Sequence, residues 1–314
     1  MLVAGVDVGG TNIEVGLVDG DHEVLDRRKV NTPSDGPDAV IETIAELVED
    51  FDASPAAVGV GIPGGIHEGT IVHVPNLDGW GEDVDLEGLL GARLDGVPIA
   101  LANDADVGLL GEWVAGVAKD RRHVLGVWMG TGIGGSLILD GQPYRGSLGG
   151  AGEIGHQIVR AGGALCHCGR RGCVEAYAGR RSMVDTIRRI VHGGRETSLF
   201  DIQEEEGKSR PTSKVWKRAL EEEDTVVTEV FDTALETLGI GIGSIVNILD
   251  LEQVVIGGGI AEKLGSSLAE RLREAADPWM LHPNDDLGFE VSALGDDAGI
   301  VGAASVARAR LISR

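Results

Sequence analysis

Short apolar runs alternate with a glycine-containing turn at the start of the chain. Residues 2–8 and 13–18 are two such runs, and Gly9-Gly10-Thr11-Asn12 lies between them. Residues 24–30 predict a third strand, so the opening reads as an antiparallel meander. The period then changes. Within 37–51 the apolar residues Val40, Ile41, Ile44, Leu47 and Val48 recur at helical spacing behind the start signal Asp35-Gly36-Pro37. Residues 56–62 predict a strand ending at Pro63-Gly64-Gly65, 97–102 a buried strand, and 104–117 a helix.

The layout then restarts. Residues 123–129 are strand-like, 130–135 form a glycine turn, and 136–139 are strand-like again. Two strand–glycine turn–strand units in one chain predict two halves built on one plan. Further on, 224–249 predicts a long helix, 253–256 a strand, Gly257-Gly258-Gly259 a turn, and a helix starts at Ile260. Small and apolar residues at helical spacing over 297–311 predict a terminal helix. Alternating strands and helices place the chain in the α/β class. The polar segment 193–224, with two Glu triplets, reads as a surface excursion with some helix.

Composition refines this picture in three places. A length of 314 residues suits two domains. Glycine is abundant, 49 residues with no collagen-like period, which points to loops of special geometry. The net charge is −24, from 27 basic and 51 acidic residues, so a nucleic-acid or anionic-membrane surface is not expected. No apolar run is long enough to span a bilayer and no export signal is visible, which predicts a cytoplasmic protein. Only 6 of the basic residues are Lys, and an acidic, Lys-poor surface resembles proteins of high-salt cytoplasms. Simple solubility is the other reading of that surface.

The three cysteines, Cys166, Cys168 and Cys173, fall in the pattern C-x-C-G-x-x-G-C. An odd number argues against a disulfide framework. Three thiolates leave one place of a four-coordinate zinc site, and histidine commonly fills it. His167 sits between two ligands and can hardly turn inward with both, whereas His156 has room to fold back. Four protein ligands would make the zinc structural. Three buried cysteines without metal are the alternative.

The turns at Gly9-Gly10-Thr11-Asn12 and Gly130-Thr131-Gly132 can bring backbone N–H groups and threonine hydroxyls to a phosphate. Neither is a Walker loop or a dinucleotide fingerprint. Alone, each is equally a plain tight turn. Together with Gly257-Gly258-Gly259 they resemble the nucleotide clamp of the sugar kinase, hsp70 and actin superfamily. With the cysteine cluster added, the resemblance is narrower. D-x-G-G-T at Asp7, G-T-G-I-G-G at Gly130, and G-E-I-G-H at Gly152 with C-x-C-G-x-x-G-C-x-E behind it are similar to the ROK family of sugar kinases and repressors. The repressors carry an additional N-terminal DNA-binding domain, and here the first hairpin starts at Val3, which favours the kinase branch.

The resemblance implies a two-domain actin-like ATPase (ribonuclease H-like) fold with duplicated β-hairpin phosphate loops. It places a smaller domain at 1–118, a larger one at 119–296, and the helix 297–314 packing back on the first. It implies ATP, Mg²⁺ and structural Zn²⁺ as cofactors, glucose as the hexose acceptor, and a homo-oligomer of two or four chains. Fructose, N-acetylmannosamine, N-acetylglucosamine and allose are the alternative acceptors. Asp104 is the expected general base. Spacing alone also allows a helix-capping role for it, and Asp106 is its local rival. Asn103, Glu153, His156 and Glu175 match the family's sugar-binding positions, and Gly65 and Asn76 its closing loops. Asp7 is the expected magnesium partner. Gly9, Gly10, Thr11, Asn12, Gly130, Thr131, Gly132, Gly257, Gly258 and Gly259 would approach the nucleotide. Loss of zinc is expected to weaken sugar binding and to spare ATP, because the phosphate turns are separate loops.

Overall fold

A computed structural model describes residues 1–72, 77, 79, 80, 83–282 and 284–312. The chain opens with the meander β1 (Val3–Val8), β2 (Asn12–Val18) and β3 (Val24–Asn31), followed by α1 (Pro37–Glu49). Then come β4 (Val58–Ile62), the small hairpin β5 (Gly65–His67) and β6 (Thr70–Val72), α2 (Leu86–Arg93), β7 (Ile99–Asn103) and α3 (Asp104–Ala115). The plan repeats with β8 (Val124–Met129), β9 (Ile133–Leu139) and β10 (Gln142–Pro143). A helical stretch follows: α4 (Glu175–Ala178), α5 (Arg180–His192), α6 (Leu199–Glu205), α7 (Ser213–Glu221) and the long α8 (Thr225–Leu249). The chain ends with β11 (Gln253–Gly257), α9 (Gly259–Leu264), α10 (Ser266–Ala276), β12 (Gly288–Val291) and α11 (Asp297–Ile312).

Two five-stranded sheets have the same order. The first runs β3-β2-β1-β4-β7 and the second β10-β9-β8-β11-β12. In each, an antiparallel hairpin edge is extended by two parallel strands, β4 and β7 in one and β11 and β12 in the other. The central strands β1, β4, β8 and β11 are apolar along nearly their whole length because both faces are covered. The strand order is the repeat that the two glycine turns announce.

The chain forms two compact units. The first comprises Met1–Arg121, Ser136–Ala151 and Ala293–Arg314, and the second Arg122–Gly135 and Gly152–Ser292. Residues 136–151, expected in the larger domain, count with the first unit. Ser136 donates to Asp106 at 2.7 Å, and Arg145 lies 3.4 Å from the same carboxylate.

In the first unit α1 and α2 cover one face of the sheet, burying Val40, Ile44 and Leu90 against Val6, Val15 and Val60. The terminal helix α11 covers the other face and packs on β1, β4 and α3. It comes unusually close, because Gly5 on β1 and Gly59 on β4 have no side chain. A methyl group at either position would strike the backbone carbonyl of Ile300 or of Ala303. Buried Glu112 of α3 fixes the entry to α11 by accepting from Leu294 N–H at 2.8 Å and from Val117 N–H at 3.0 Å.

The segment 193–224 is not a surface excursion. Its helices bury Leu199, Ile202, Val215 and Trp216, and the Trp216 ring lies 6.4 Å from that of Phe231 on α8. The charged triplets occupy the outer faces, while one apolar stripe per helix faces the core. Strands β5, β6 and β12 and helices α2 and α10 are also additions to the sequence reading. β12 is short, half-buried and contains only two apolar side chains, so its pattern carries little signal.

Candidate functional site

In the first unit the turn between β1 and β2 is closed by Gly9 N–H donating to Asn12 O at 2.9 Å. Thr32, just past β3, pins it from behind. Its N–H donates to Thr11 O at 2.9 Å and its hydroxyl to Gly9 O at 2.6 Å. Thr32 carries no motif, and only the pairing of β2 with β3 brings it here.

Asp7 precedes this turn on β1, in register with Glu14 on β2 and Gly61 on β4. Its carboxylate lies against Gly299 in the first turn of α11. Desolvation, followed by the charges of Asp104, Glu14 and Asp296, pushes its pKa up to about 7, and Lys29 opposes them in part. Lys29 pairs with Glu14 at 2.6 Å. Four carboxylates, those of Asp7, Glu14, Asp104 and Asp296, thus gather in this corner of the unit, with Lys29 and Arg27 beside Glu14.

Asn103 and Asp104 stand where β7 ends and α3 begins. Asn103 is the N-cap: Oδ1 accepts from Ala105 N–H at 2.9 Å, and Nδ2 donates to Gly64 O at 3.2 Å. The second bond ties the β4–β5 loop, which leads to Gly65, to the start of α3. Asp104 is exposed, with Oδ1 3.0 Å from Ala105 N. Asp106, two residues on, is half-buried and bound to Ser136. Burial holds its pKa above the usual carboxylate value, which the Ser136 hydrogen bond offsets in part. Asn76 lies outside the described residues.

In the second unit His156, Cys166, Cys168 and Cys173 converge. One ligand atom from each lies within 4.8 Å of all the others. Cys166 Sγ is 3.8 Å from His156 Nδ1, and Cys168 Sγ is 3.7 Å from Cys173 Sγ. A tetrahedral site with ~2.3 Å metal–sulfur bonds has edges of about 3.8 Å, so this donor set has the size of a single-ion cage. The loop is drawn tight by its backbone. Gly169 N–H donates to Cys166 O at 2.9 Å and Cys166 N–H to Arg170 O at 2.8 Å, with Gly169 at φ 86°. Burial foremost pushes the Cys166 thiol up to about 12.

Glu175 opens α4 directly after the loop. Its Oε2 accepts from Ile133 N–H at 3.0 Å, at the base of the β8–β9 turn, while Oε1 lies 3.6 Å from Cys166 Sγ. One carboxylate thus joins the cysteine loop to the β8–β9 glycine turn, two loops that the sequence suggests are separate. Glu153 is exposed just before the single helical turn that carries His156. In the β8–β9 turn the carbonyls of Gly130 and Thr131 accept from Arg180 N–H at 3.3 Å and Arg181 N–H at 3.1 Å. Gly257 closes β11 beside Trp128, and Gly258, at φ 90°, lies close to the Met129 backbone. The structure thus brings Asp7, Asn103 and Asp104 into one corner of the first unit. It brings His156, the cysteines, Glu175 and the Gly130–Gly132 turn together in the second.

Two sheets of identical strand order, each with a glycine hairpin turn, define an actin-like ATPase fold. Within that class the chain belongs to the ROK family, whose profile matches residues 3–310. A glucokinase of Thermotoga maritima is 33% identical over 98% of this chain and 97% of its own. An N-acetyl-D-glucosamine kinase of Escherichia fergusonii is 30% identical over 96% of this chain and 97% of its own. The solved ROK family glucokinase of Streptomyces griseus, in complex with glucose and AMPPNP, superposes with a TM-score of 0.84 at 29% identity, covering 98% of this chain and 100% of that one.

Proposed function

We propose that this chain is an ATP-dependent hexose kinase that transfers the γ-phosphate of ATP to the 6-hydroxyl of glucose. Full-length likeness to glucokinases supports the chemistry, and the contrast between two aspartates at the start of α3 supports the mechanism. Asp106 is committed to Ser136 and Arg145, whereas Asp104 is exposed where a substrate can reach it. Asp104 takes the proton of the sugar hydroxyl as its oxygen attacks phosphorus. The start of α3 places the positive end of the helix dipole beside Asp104.

Asn103 binds a ring hydroxyl beside the base through its second amide N–H, its other groups being used for the cap and for Gly64. Glu153, His156 and Glu175 hold further sugar hydroxyls, and Gly65 and Asn76 belong to the loops that close over the sugar. The turns at Gly9, Gly10, Thr11 and Asn12 and at Gly130, Thr131 and Gly132 bind phosphates, and Gly257, Gly258 and Gly259 approach the adenosine. The carboxylates gathered around Asp7 fit a hydrated Mg²⁺, which would neutralise phosphate charge when bound. His156, Cys166, Cys168 and Cys173 fit one Zn²⁺, which sets the shape of the sugar-binding loop. With Nδ1 toward the sulfurs, His156 keeps Nε2 for the sugar. Two or four chains form the working oligomer.

A second reading keeps the chemistry and changes the acceptor to N-acetylglucosamine, N-acetylmannosamine, fructose or allose. The N-acetylglucosamine kinase relative makes it concrete. A coupled ADP-release assay over these sugars, run with Mg²⁺-ATP in molar KCl, tests both. Glucose should show the highest kcat/KM. A higher value for another hexose overturns the acceptor, and no sugar-dependent ADP release with any of them overturns the kinase.

A further inference from the structure

One cation of the second unit has no place in these roles. Arg180, the first residue of α5, is half-buried beside the β8–β9 turn. Its guanidinium lies between two neutral hydroxyls, with Nη1 3.3 Å from Ser213 Oγ and Nη2 3.5 Å from Thr131 Oγ1. Among the described residues it makes no ion pair with a carboxylate. The charge that bears on it most is that of Arg210, which, after burial itself, holds its pKa below the ordinary arginine value. The positive end of the α5 dipole adds to the repulsion. A half-buried cation beside a like charge is costly unless an anion neutralises it. Among the described residues no carboxylate takes that place, which leaves it open to an anion from outside the chain.

Position says which anion. Thr131 belongs to the phosphate turn. Ser213 lies against Gly259, where a methyl group would come within 2.7 Å of its hydroxyl. Gly259 closes the glycine run assigned to the adenosine. The guanidinium therefore spans the interval between the phosphate turn and the nucleoside turn of the same unit. In ATP, that interval is the α,β-diphosphate.

We infer that Arg180 binds non-bridging oxygens of the α- and β-phosphates of the nucleotide donor, with Arg210 adding to the positive potential there. The inference rests on the kinase reading. In the transfer, a bond forms between the sugar oxygen and the γ-phosphorus, and the bond from that phosphorus to the β,γ-bridging oxygen breaks. The electron pair stays on that oxygen, and the hydroxyl proton passes to Asp104. ADP gains negative charge as it leaves, and a planar two-pronged guanidinium suits two phosphates better than an ammonium does.

Arg180→Gln and Arg180→Lys test the assignment, with binding of ADP to the sugar-free protein measured by calorimetry beside steady-state kinetics. Loss of a charge-assisted contact predicts a rise of roughly 10–100-fold in the Kd for ADP and the KM for ATP in Arg180→Gln. The KM for sugar should stay within about twofold, and Arg180→Lys should recover part of the loss. ADP affinity unchanged in Arg180→Gln overturns the inference. Equal losses for sugar and nucleotide in both variants also overturn it, because they mark a structural role. A wild-type protein that binds ADP but phosphorylates no hexose refutes the kinase reading alone, and the ADP measurements then still judge Arg180.

Discussion

Asp104 and Asp106 sit two residues apart on α3, yet their surroundings differ. Ser136 and Arg145 hold Asp106 in a half-buried position, where it anchors residues 136–151 to the first unit. Asp104, at the helix start, faces solvent. Asp104→Asn keeps the shape and removes the proton acceptor, so turnover should fall by roughly 10²–10⁴-fold. Glucose binding, followed by calorimetry without ATP, should weaken far less. Near-normal turnover would remove Asp104 from the mechanism. Asp7 gives a pH prediction. Its folded-state pKa of about 7 lies above the ordinary aspartate value of 3.8. The folded protein thus holds a proton that the unfolded chain has lost across that window. Stability from this group is present below about pH 4, declines by up to ~1.4 kcal/mol per pH unit, and levels off above pH 7. Asp7→Asn should remove this slope. Melting temperatures of metal-free wild type and variant from pH 4 to 8 should converge at the acid end and part at the alkaline end, with the variant the more stable. Parallel curves would refute the raised pKa.

At the scale of elements, the cysteine loop and the β8–β9 glycine turn are tied to each other. Glu175 is the link, with one oxygen on Ile133 N–H and the other beside Cys166 Sγ. The expectation that metal loss spares ATP therefore changes. Chelation, or Cys168→Ser, should release about one zinc per chain, raise the KM for glucose most, and raise the KM for ATP as well by a smaller factor. Metal binding of this kind contributes folding energy directly, so the melting temperature should also fall. Elemental analysis and two-substrate kinetics check this. A protein free of zinc and fully active would end the case for a metal-shaped loop, and an ATP KM that does not move would show that Glu175 transmits nothing.

For the whole molecule, charge decides more than any single pair. The surface carries many arginine–carboxylate pairs, such as Arg93 with Glu42 and Glu49 at 2.8 and 2.6 Å. Exposed pairs of this kind contribute ~0–1 kcal/mol each and weaken with salt. Against them stands an excess of 24 negative charges, whose mutual repulsion salt also screens. Since acids outnumber bases nearly two to one, relief of repulsion should win. Raising KCl from 0.1 to 2 M should lift the melting temperature by about 3 °C or more, the shift that ~2 kcal/mol produces in a protein this large. A flat or falling curve would favour simple solubility as the reason for the acidic surface.

Local chemistry was legible in the sequence. Each hairpin turn needs glycine between two apolar runs, and the three thiols that converge with His156 lie within residues 166–173, so both show as spacing. The restart of strand, glycine turn and strand likewise announced two sheets of one plan. Contacts between residues far apart in the chain leave no such mark, and only the tertiary structure decided them. Thr32 reaches the first turn because β3 pairs with β2. Arg180 meets Ser213, 33 residues on, because α7 packs inward on Trp216 although its segment reads as a charged surface. Gly5 and Gly59 look like ordinary strand glycines until α11, from the far end of the chain, lies against their backbone. A side chain's type is written at its own position, but its partner, and hence its charge state and task, depends on which elements the core draws together.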